Sequence, residues 1–421
     1  MSDSKRLSDK RRAIILVVDG CGIGAAPDHD AFGDSAQCNS LANTVKAVGG
    51  LTLPNLTSLG VGNITKIDGL ASDANPIGIY GKLKELSRGK DTQTGHWEMM
   101  GIISNAAFPL FPDGFPPEII NRFIQETGCK QVLCNKPASG TVLLDQFGEE
   151  HQRTGYPIVY TSGDSVFQIA CHVDTIPLAK LYQWCEIARA IMQGPNRVGR
   201  IIARPFTGTP GNYKRLSFER KDIGIKPPEP TFLDMIQANA AGVLGIGKIE
   251  DIFDRQGLTH ARHTGSNKEG LELTLQAINN KFDLKTTNII EKAPDAVQLI
   301  FTNLVDTDAL WGHRRNVEGY AGALREVDHY VGEIIEAMHE DDLLLISSDH
   351  GNDPTAPGTD HTREYVPLLA YAKSLHKASA IEQAIGTREG FVDMAASLAA
   401  WFGMKWTGPG TSFIPQLTKV A

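Results

Sequence analysis

The chain has 421 residues, 41% of them apolar and 21% charged, an ordinary composition for a globular protein large enough for two or three domains. Its formal net charge of −8 argues against a general nucleic-acid-binding protein, which needs a basic face. No apolar run approaches the roughly 20 residues that span a bilayer, so we expect no membrane association. Nothing in the composition indicates an obligate protein partner.

The N-terminal segment predicts a first strand rather than a secretion signal. Lys10-Arg11-Arg12 precedes the apolar run Ala13–Val18, which is short, ends at Asp19 and has no small-residue cleavage site directly after it. The six cysteines include no Cys-x-x-Cys pair, and Cys129 and Cys134 would need two more ligands to hold zinc. We therefore expect reduced thiols and a cytoplasmic location.

Further apolar runs of strand length follow along the chain, with helical patterns between some of them. A long helix is predicted over Gly319–Met338, where apolar residues recur at helical spacing. Strands that alternate with helices favour an α/β fold in which helices flank a mostly parallel central sheet. The predicted strands are Ala13–Val18, Pro157–Tyr160, Val243–Ile246, Gln298–Leu304, Leu343–Ile346 and Val366–Tyr371.

Two proline-rich connectors, Phe108–Pro117 and Gly224–Pro230, interrupt this pattern. Proline clusters disfavour regular structure and often mark linkers. We therefore expect residues 107–225 to form a smaller inserted domain. Residues 1–106 and 226–421 would then form a discontinuous core.

Acidic residues follow three of the predicted strands. Asp19 ends the first, the pair Asp306 and Asp308 follows the strand ending at Leu304, and Asp349 follows the strand ending at Ile346. Ligands of such folds gather at the carboxyl ends of the strands. A lone acid after a strand is usually a turn or cap residue, but three strands that deliver acids to one edge predict a site.

Histidines close to these acids complete a set of metal ligands. Asp and His are costly to bury unpaired, and divalent cations accept both carboxylate oxygen and neutral imidazole nitrogen. Two dications bring about +4 against about −3 from three carboxylates, which leaves a slightly positive site suited to a phosphate. Asp308 and His313 are expected five positions apart in a loop that follows the strand ending at Leu304. The candidate ligands are Asp19, Asp308, His313, Asp349, His350 and His361.

A candidate nucleophile lies in the segment Gly89–Glu98. A hydroxyl must have its pKa lowered to attack phosphorus, and coordination to a metal does this. Thr92 and Thr94 both qualify, and their spacing does not choose between them.

Five longer motifs extend these observations. The chain resembles the phosphopentomutase family of the alkaline phosphatase superfamily, from near residue 11 to the C-terminus. The motifs that carry the resemblance are Asp19-Gly-Cys-Gly-Ile-Gly24, Lys90-Asp-Thr-Gln-Thr-Gly-His-Trp-Glu98, Asn135-Lys-Pro-Ala-Ser-Gly-Thr141, Asp349-His-Gly-Asn-Asp-Pro354 and Pro357-Gly-Thr-Asp-His-Thr-Arg-Glu-Tyr365.

The resemblance implies an alkaline-phosphatase-like core with an inserted cap that determines substrate specificity. It implies two manganese ions, one bound by Asp308, His313 and His361 and the other by Asp19, Asp349 and His350. It also identifies Thr92 as the phosphorylated threonine and as a further metal ligand. The positions that match substrate-binding residues of the family are Ser162, Asp164, Arg200, Ile202 and Lys248.

The implied activity is the interconversion of ribose 1-phosphate and ribose 5-phosphate, or their deoxyribose analogues, in nucleoside catabolism and salvage. It would proceed through phosphothreonine and a 1,5-bisphosphate, with glucose 1,6-bisphosphate or a similar compound as the priming activator. Three alternatives remain: a metal-dependent phosphatase, a phosphoglycerate mutase of the same superfamily, and a non-catalytic phosphosugar- or metal-binding module.

Overall fold

The computed structural model describes residues 11–138, 140–162, 165–290, 296–376 and 383–414. Contacts within the chain divide it into two compact units, one formed by Phe108–Ile225 and the other by the residues on either side. No helix among these described ranges is both long enough and apolar enough to cross a membrane.

Strands and helices alternate along much of the described chain. The strands are β1 (Arg12–Val18), β2 (Ile79–Leu83), β3 (Leu133–Pro137), β4 (Ile158–Thr161), β5 (Val166–His172), β6 (Arg200–Thr207), β7 (Lys214–Arg215), β8 (Lys221–Ile223), β9 (Gly242–Ile246), β10 (His260–Arg262), β11 (Asn288–Ile289), β12 (Val297–Leu304), β13 (Asp342–Ser347), β14 (Val366–Tyr371) and β15 (Ala384–Arg388). The helices are α1 (Ser40–Ala47), α2 (Pro54–Ser58), α3 (Val61–Ile64), α4 (Thr92–Met99), α5 (Pro117–Thr127), α6 (Gly140–Thr154), α7 (Leu178–Ile191), α8 (Phe232–Ala238), α9 (Ile249–Ile252), α10 (Asn267–Ile278), α11 (Val317–Ala337), α12 (Lys373–His376) and α13 (Asp393–Trp401).

The larger unit contains a nine-stranded sheet with the order β11-β10-β9-β12-β1-β13-β14-β2-β15. Its centre is parallel, because β1 pairs in parallel with both β12 and β13. Antiparallel pairing occurs where β14 joins β13 and β2, and where β11 joins β10. The α/β fold class and the mostly parallel central sheet are thus confirmed.

The central strands are buried on both faces, as the apolar runs predicted. Every residue of β1 is buried, and Ile14, Leu16 and Val18 pack in one hydrophobic cluster with Leu324 and Val331 of α11. Parallel strands covered on both faces are usually continuous in their apolar character. The six predicted strands all occur, with ends within one residue of the prediction, and α11 lies within two residues of its predicted bounds.

The smaller unit has its own sheet and its own core. Its strands are ordered β3-β4-β5-β6-β7, and β8 pairs with β6. Side chains of β5 alternate between the two faces, so that Phe167 and Ile169 belong to one apolar cluster and Ala170 to another. Helices α5 and α7 cover the first face, and α6 covers the second.

Candidate metal and phosphoryl-transfer site

Three neighbouring strands bring the predicted acids to one edge of the central sheet. The register pairs Val18 of β1 with Leu304 of β12, and Val17 of β1 with Ser347 of β13. Asp19 follows the end of β1 directly, Asp349 lies two residues after the end of β13, and both are fully buried. Asp308 lies in a π-helical turn, Thr307–Gly312, rather than in the loop that we expected. Such turns are frequent at functional sites because they redirect side chains locally.

One group of candidate ligands surrounds Asp308. Its Oδ2 lies 3.4 Å from Nε2 of His313, and its Oδ1 lies 3.3 Å from Nε2 of His361. The two Nε2 atoms are 3.2 Å apart. Ligand atoms about 2.1 Å from a tetrahedral ion are separated by roughly 3.4 Å, so this spacing fits a single cation.

A second group contains Asp19, Asp349 and His350. The His350 Nε2 atom lies 3.4 Å from Asp19 Oδ1 and 3.4 Å from Asp349 Oδ2. The ring of His350 also stacks on that of His361, with centroids 3.8 Å apart. His350 therefore lies between the two groups, and its nitrogen is close to ligand atoms of both.

Backbone carbonyls orient the three imidazoles. Nδ1 of His313 donates to Thr359 O at 2.6 Å, Nδ1 of His361 to Lys90 O at 2.9 Å, and Nδ1 of His350 to Gly351 O at 3.1 Å. A carbonyl only accepts hydrogen bonds, so in the neutral ring the proton sits on Nδ1. Each Nε2 then carries a lone pair, as a metal ligand requires.

The carboxylates show why the cluster suits cations. Asp19 Oδ1 and Asp349 Oδ2 are buried and have no hydrogen-bond partner among the described residues. Burial, followed by the charges of Asp349 and Asp308, raises the pKa of Asp19 well above its usual value. Burial alone would also raise the pKa of Asp308 and Asp349. However, the positive charges of protonated His313 and His361 would hold the pKa of Asp308 well below its usual value, and protonated His350 and His96 would lower that of Asp349 to about 2. The residues present therefore fit divalent cations, which would neutralise all three acids.

The candidate nucleophile starts helix α4. Thr92 is the first residue of the helix, and its Oγ1 lies 3.3 Å from His350 Nε2. Thr94 is fully buried, and its hydroxyl donates to Asp91 Oδ2 at 2.6 Å within the helix cap. The cap thus engages the Thr94 hydroxyl, whereas the Thr92 hydroxyl lies beside the ligand cluster. The N-terminus of a helix also favours the negative charge of a phosphoryl group.

A layer of polar residues, to which the sequence patterns assigned no role, lies behind the ligands. Asn303, on β12, donates to Asp19 Oδ2 at 2.9 Å, and Asn352 donates to Asp308 Oδ1 at 2.7 Å. His96 of α4 is fully buried and donates from Nδ1 to Thr92 O at 2.8 Å. A polar residue inside an apolar strand could have identified Asn303, and the motifs quoted above include both His96 and Asn352.

The predicted substrate residues fall in both units. Ser162 directly follows β4, and Arg200 and Ile202 lie two apart on β6, so their side chains share a face. The Arg200 Nη1 atom is 3.5 Å from Asp222 Oδ2, and Ile202 is buried. Lys248 precedes α9 in the larger unit, where its positive charge lowers the pKa of Asp19 against the larger effect of burial. Asp164 lies outside the described residues.

Comparison with known proteins identifies the family. A family model described as the metalloenzyme superfamily matches residues 11–406. The phosphopentomutase of Carboxydothermus hydrogenoformans is 50% identical over 97% of this chain and 100% of its own length. That of Anaeromyxobacter dehalogenans is 47% identical over 97% and 100%. A solved structure of a protein from Pyrococcus horikoshii covers 95% of this chain and 100% of its own length, at 12% identity and a TM-score of 0.48. On its full-length sequence identity, the chain belongs to the phosphopentomutase family of the metalloenzyme superfamily.

Proposed function

We propose that this protein interconverts α-D-ribose 1-phosphate and D-ribose 5-phosphate, together with the deoxyribose analogues, in nucleoside catabolism and salvage. The observation that carries the proposal is the identity of 50% with a phosphopentomutase along the whole length of that relative. The clustered carboxylates, imidazoles and hydroxyl of the larger unit are the groups that phosphoryl transfer needs. A cytoplasmic location remains part of the proposal.

Thr92 is the proposed nucleophile. Its Oγ1 lies 3.3 Å from His350 Nε2, beside the ligand cluster, whereas Thr94 donates its hydroxyl proton to the helix cap. The positive end of the helix dipole at the N-terminus of α4 would stabilise the charge of phospho-Thr92.

The proposed cofactors are two Mn²⁺ ions. When bound, they would act as Lewis acids that lower the pKa of an attacking hydroxyl and neutralise phosphoryl oxygens. The residues that would hold them are Asp308, His313 and His361 at one position, and Asp19, Asp349, His350 and the Thr92 oxygen at the other.

In the proposed cycle, phospho-Thr92 donates its phosphoryl group to the free hydroxyl of a pentose monophosphate. The sugar oxygen forms a new bond to phosphorus as the bond to Thr92 Oγ1 breaks, and the proton lost by the sugar balances the one that Thr92 regains. The product is a 1,5-bisphosphate. After this intermediate turns around, its other phosphoryl group returns to Thr92 and the isomer leaves. Glucose 1,6-bisphosphate or a similar bisphosphate would restore an enzyme that had lost its phosphoryl group.

Substrate orientation is assigned to residues of both units. Arg200 and Lys248 carry positive charges suited to a phosphate, and Ser162 and Asp164 carry polar groups suited to sugar hydroxyls. Ile202, whose side chain shares a face of β6 with that of Arg200, would contact the substrate through its apolar side chain or its backbone. We propose that the unit formed by Phe108–Ile225 acts as a cap that also excludes water, because water would hydrolyse phospho-Thr92.

One experiment separates this function from its rivals. The protein is incubated with Mn²⁺, ribose 1-phosphate and a trace of glucose 1,6-bisphosphate, and both ribose 5-phosphate and free phosphate are followed. We expect isomerisation without steady phosphate release, and no isomerisation by Thr92→Ala. Thr94→Val is the matched variant and should still become phosphorylated on Thr92.

Steady phosphate release without isomerisation would identify a phosphatase, and turnover of 3-phosphoglycerate would identify a phosphoglycerate mutase. Unchanged turnover by Thr92→Ala would refute the nucleophile.

A further inference from the structure

We propose that Arg315 is a positioning residue for one of the two metal positions, and that it fixes Asp308, His313 and His361 through Asn352 and the backbone of residues 353–360. This inference rests on the proposed function, because it concerns the arrangement of the ligands of one ion. Arg315 is partly buried and adopts φ = 53°, a left-handed backbone conformation that non-glycine residues rarely adopt. Such backbone strain persists only where surrounding contacts enforce it.

The guanidinium of Arg315 binds the loop that leads to His361. Its Nε donates to Gly358 O at 2.6 Å, and its Nη2 donates to Asp360 O at 3.1 Å. The carbonyl between these two, Thr359 O, accepts the Nδ1 proton of His313 at 2.6 Å. Three successive carbonyls are thus engaged, two by Arg315 and one by a metal-ligand candidate. His361 is the next residue, so its position follows from the path of this loop.

The same guanidinium is also connected to Asp308 through the side chain of Asn352. Its Nη1 donates to Asn352 Oδ1 at 2.8 Å and to Asp353 O at 2.7 Å. With its oxygen held in this way, Asn352 directs its amide nitrogen to Asp308 Oδ1 at 2.7 Å. Asn352 is fully buried, so its amide has no solvent partner to exchange for this bond. Arg315 therefore fixes which way the Asn352 amide points and, through it, orients the Asp308 carboxylate.

Electrostatics and positioning predict opposite effects of removing Arg315. A positive guanidinium near a cation site repels the cation, so its charge alone would weaken metal binding. If geometry dominates, losing the five-donor planar fork weakens binding even though a repelling charge is removed. Residues that orient metal ligands typically contribute 10- to 100-fold to metal affinity. The sign of the change in affinity thus distinguishes the two roles.

The test is a calorimetric titration of metal-free protein with Mn²⁺. The parent should bind two ions. Arg315→Met and Arg315→Lys should both bind one of them about 10- to 100-fold more weakly, and the other as before. Arg314→Met is the matched control, because Arg314 is the exposed neighbour in sequence, and it should titrate like the parent. At low Mn²⁺ the kcat of Arg315→Lys should lie below that of the parent and should recover as Mn²⁺ is raised, while circular dichroism shows the variant to be folded at every Mn²⁺ concentration.

Three results would count against the inference. Unchanged Mn²⁺ affinity in both Arg315 variants overturns it, and so does tighter binding by Arg315→Met, which would show that charge outweighs geometry. If Arg315→Met fails to fold in EDTA, as judged by circular dichroism, Arg315→Lys decides the question alone. If the parent chain binds fewer than two ions, both the proposed function and the inference are wrong. If the parent binds two ions and the Arg315 variants bind them with the same affinities, only the inference is wrong.

Discussion

Helix α4 packs so closely against Asp349 that its position depends on a glycine. A Cβ added at Gly95 would lie 2.1 Å from the carbonyl oxygen of Asp349, 2.8 Å from the carbonyl carbon and 3.0 Å from Cα. All three atoms belong to backbone, which cannot rotate away as a flexible side chain could. Gly95→Ala therefore forces the helix and the segment that follows β13 apart.

The size of this movement follows from the distances. Bringing the shortest contact from 2.1 Å to 3.0 Å, about the closest that real Cβ atoms approach, requires a shift of about 0.9 Å. Thr92, one turn earlier, would move relative to Asp349 and His350 by a similar amount. A misplacement of about 1 Å costs roughly 100-fold in rate when reacting groups must be aligned. Overpacking costs about 1–3 kcal/mol of stability, partly offset by about 1 kcal/mol from the better helix propensity of alanine.

The assay compares turnover of ribose 1-phosphate with urea unfolding in the same variants. Gly95→Ala should lose about 100-fold in kcat while the free energy of unfolding falls by no more than about 2 kcal/mol. Gly322→Ala is the control, because Gly322 lies in α11 with no atom within 4 Å of the added Cβ. It should gain about 0.5–1 kcal/mol and keep full turnover. If Gly95→Ala turns over within threefold of the parent, the reasoning about helix α4 is wrong.

The remaining predictions concern stability. Adding Mn²⁺ to EDTA-treated protein should stabilise it by about 2.7 kcal/mol for each ion at 100 times its dissociation constant, and an unfolding midpoint that ignores EDTA would contradict the metal site. Arg12→Met leaves the buried carboxylate of Asp342 without its partner at 2.6 Å and should cost about 3–5 kcal/mol in urea unfolding, whereas Lys66→Met, at an exposed pair, should cost less than about 0.5 kcal/mol. Burial raises the pKa of Glu364 from 4.5 to about 7. Its ionisation should therefore weaken the folded state by roughly 3 kcal/mol as pH rises from about 4.5 to above 7. Glu364→Gln in EDTA should remove that pH dependence, and an identical pH profile in the variant would refute it.

The sequence could predict the central strands and their acids because both signals are local. Ala13–Val18 and Leu343–Ile346 are apolar runs of strand length, and each is followed within a few residues by Asp19 or Asp349. The strands of a parallel sheet end at the same edge, so acids that are far apart in the sequence come together in one site. The pairing of β1 with β12 and β13 supplies that step in the structure.

Other parts of the fold left weaker signals in the sequence. Strands β7 and β11 have two residues each, too few for any periodicity to appear. The π-helical turn around Asp308 was predicted as a loop, because its hydrogen bonds follow no common sequence pattern. Residue type and spacing also left Thr92 and Thr94 as equal candidates, and only the resemblance to the family favoured Thr92. In the structure the contacts of their hydroxyls differ, because that of Thr92 lies beside His350 and that of Thr94 donates to Asp91.

The groups that orient the imidazole rings could not be predicted from the sequence, because they are not side chains. The groups that hold Nδ1 of His313, His361 and His350 are backbone carbonyls, those of Thr359, Lys90 and Gly351. Every residue carries a carbonyl, so no residue type marks the ones that fix a tautomer. The orientation of the rings depends on the course of the backbone, and side chains such as that of Arg315 contribute because their hydrogen bonds fix that course. The side chain of Thr359 can therefore change with little effect on His313, whereas a change in the course of its loop would turn the His313 ring away from Asp308.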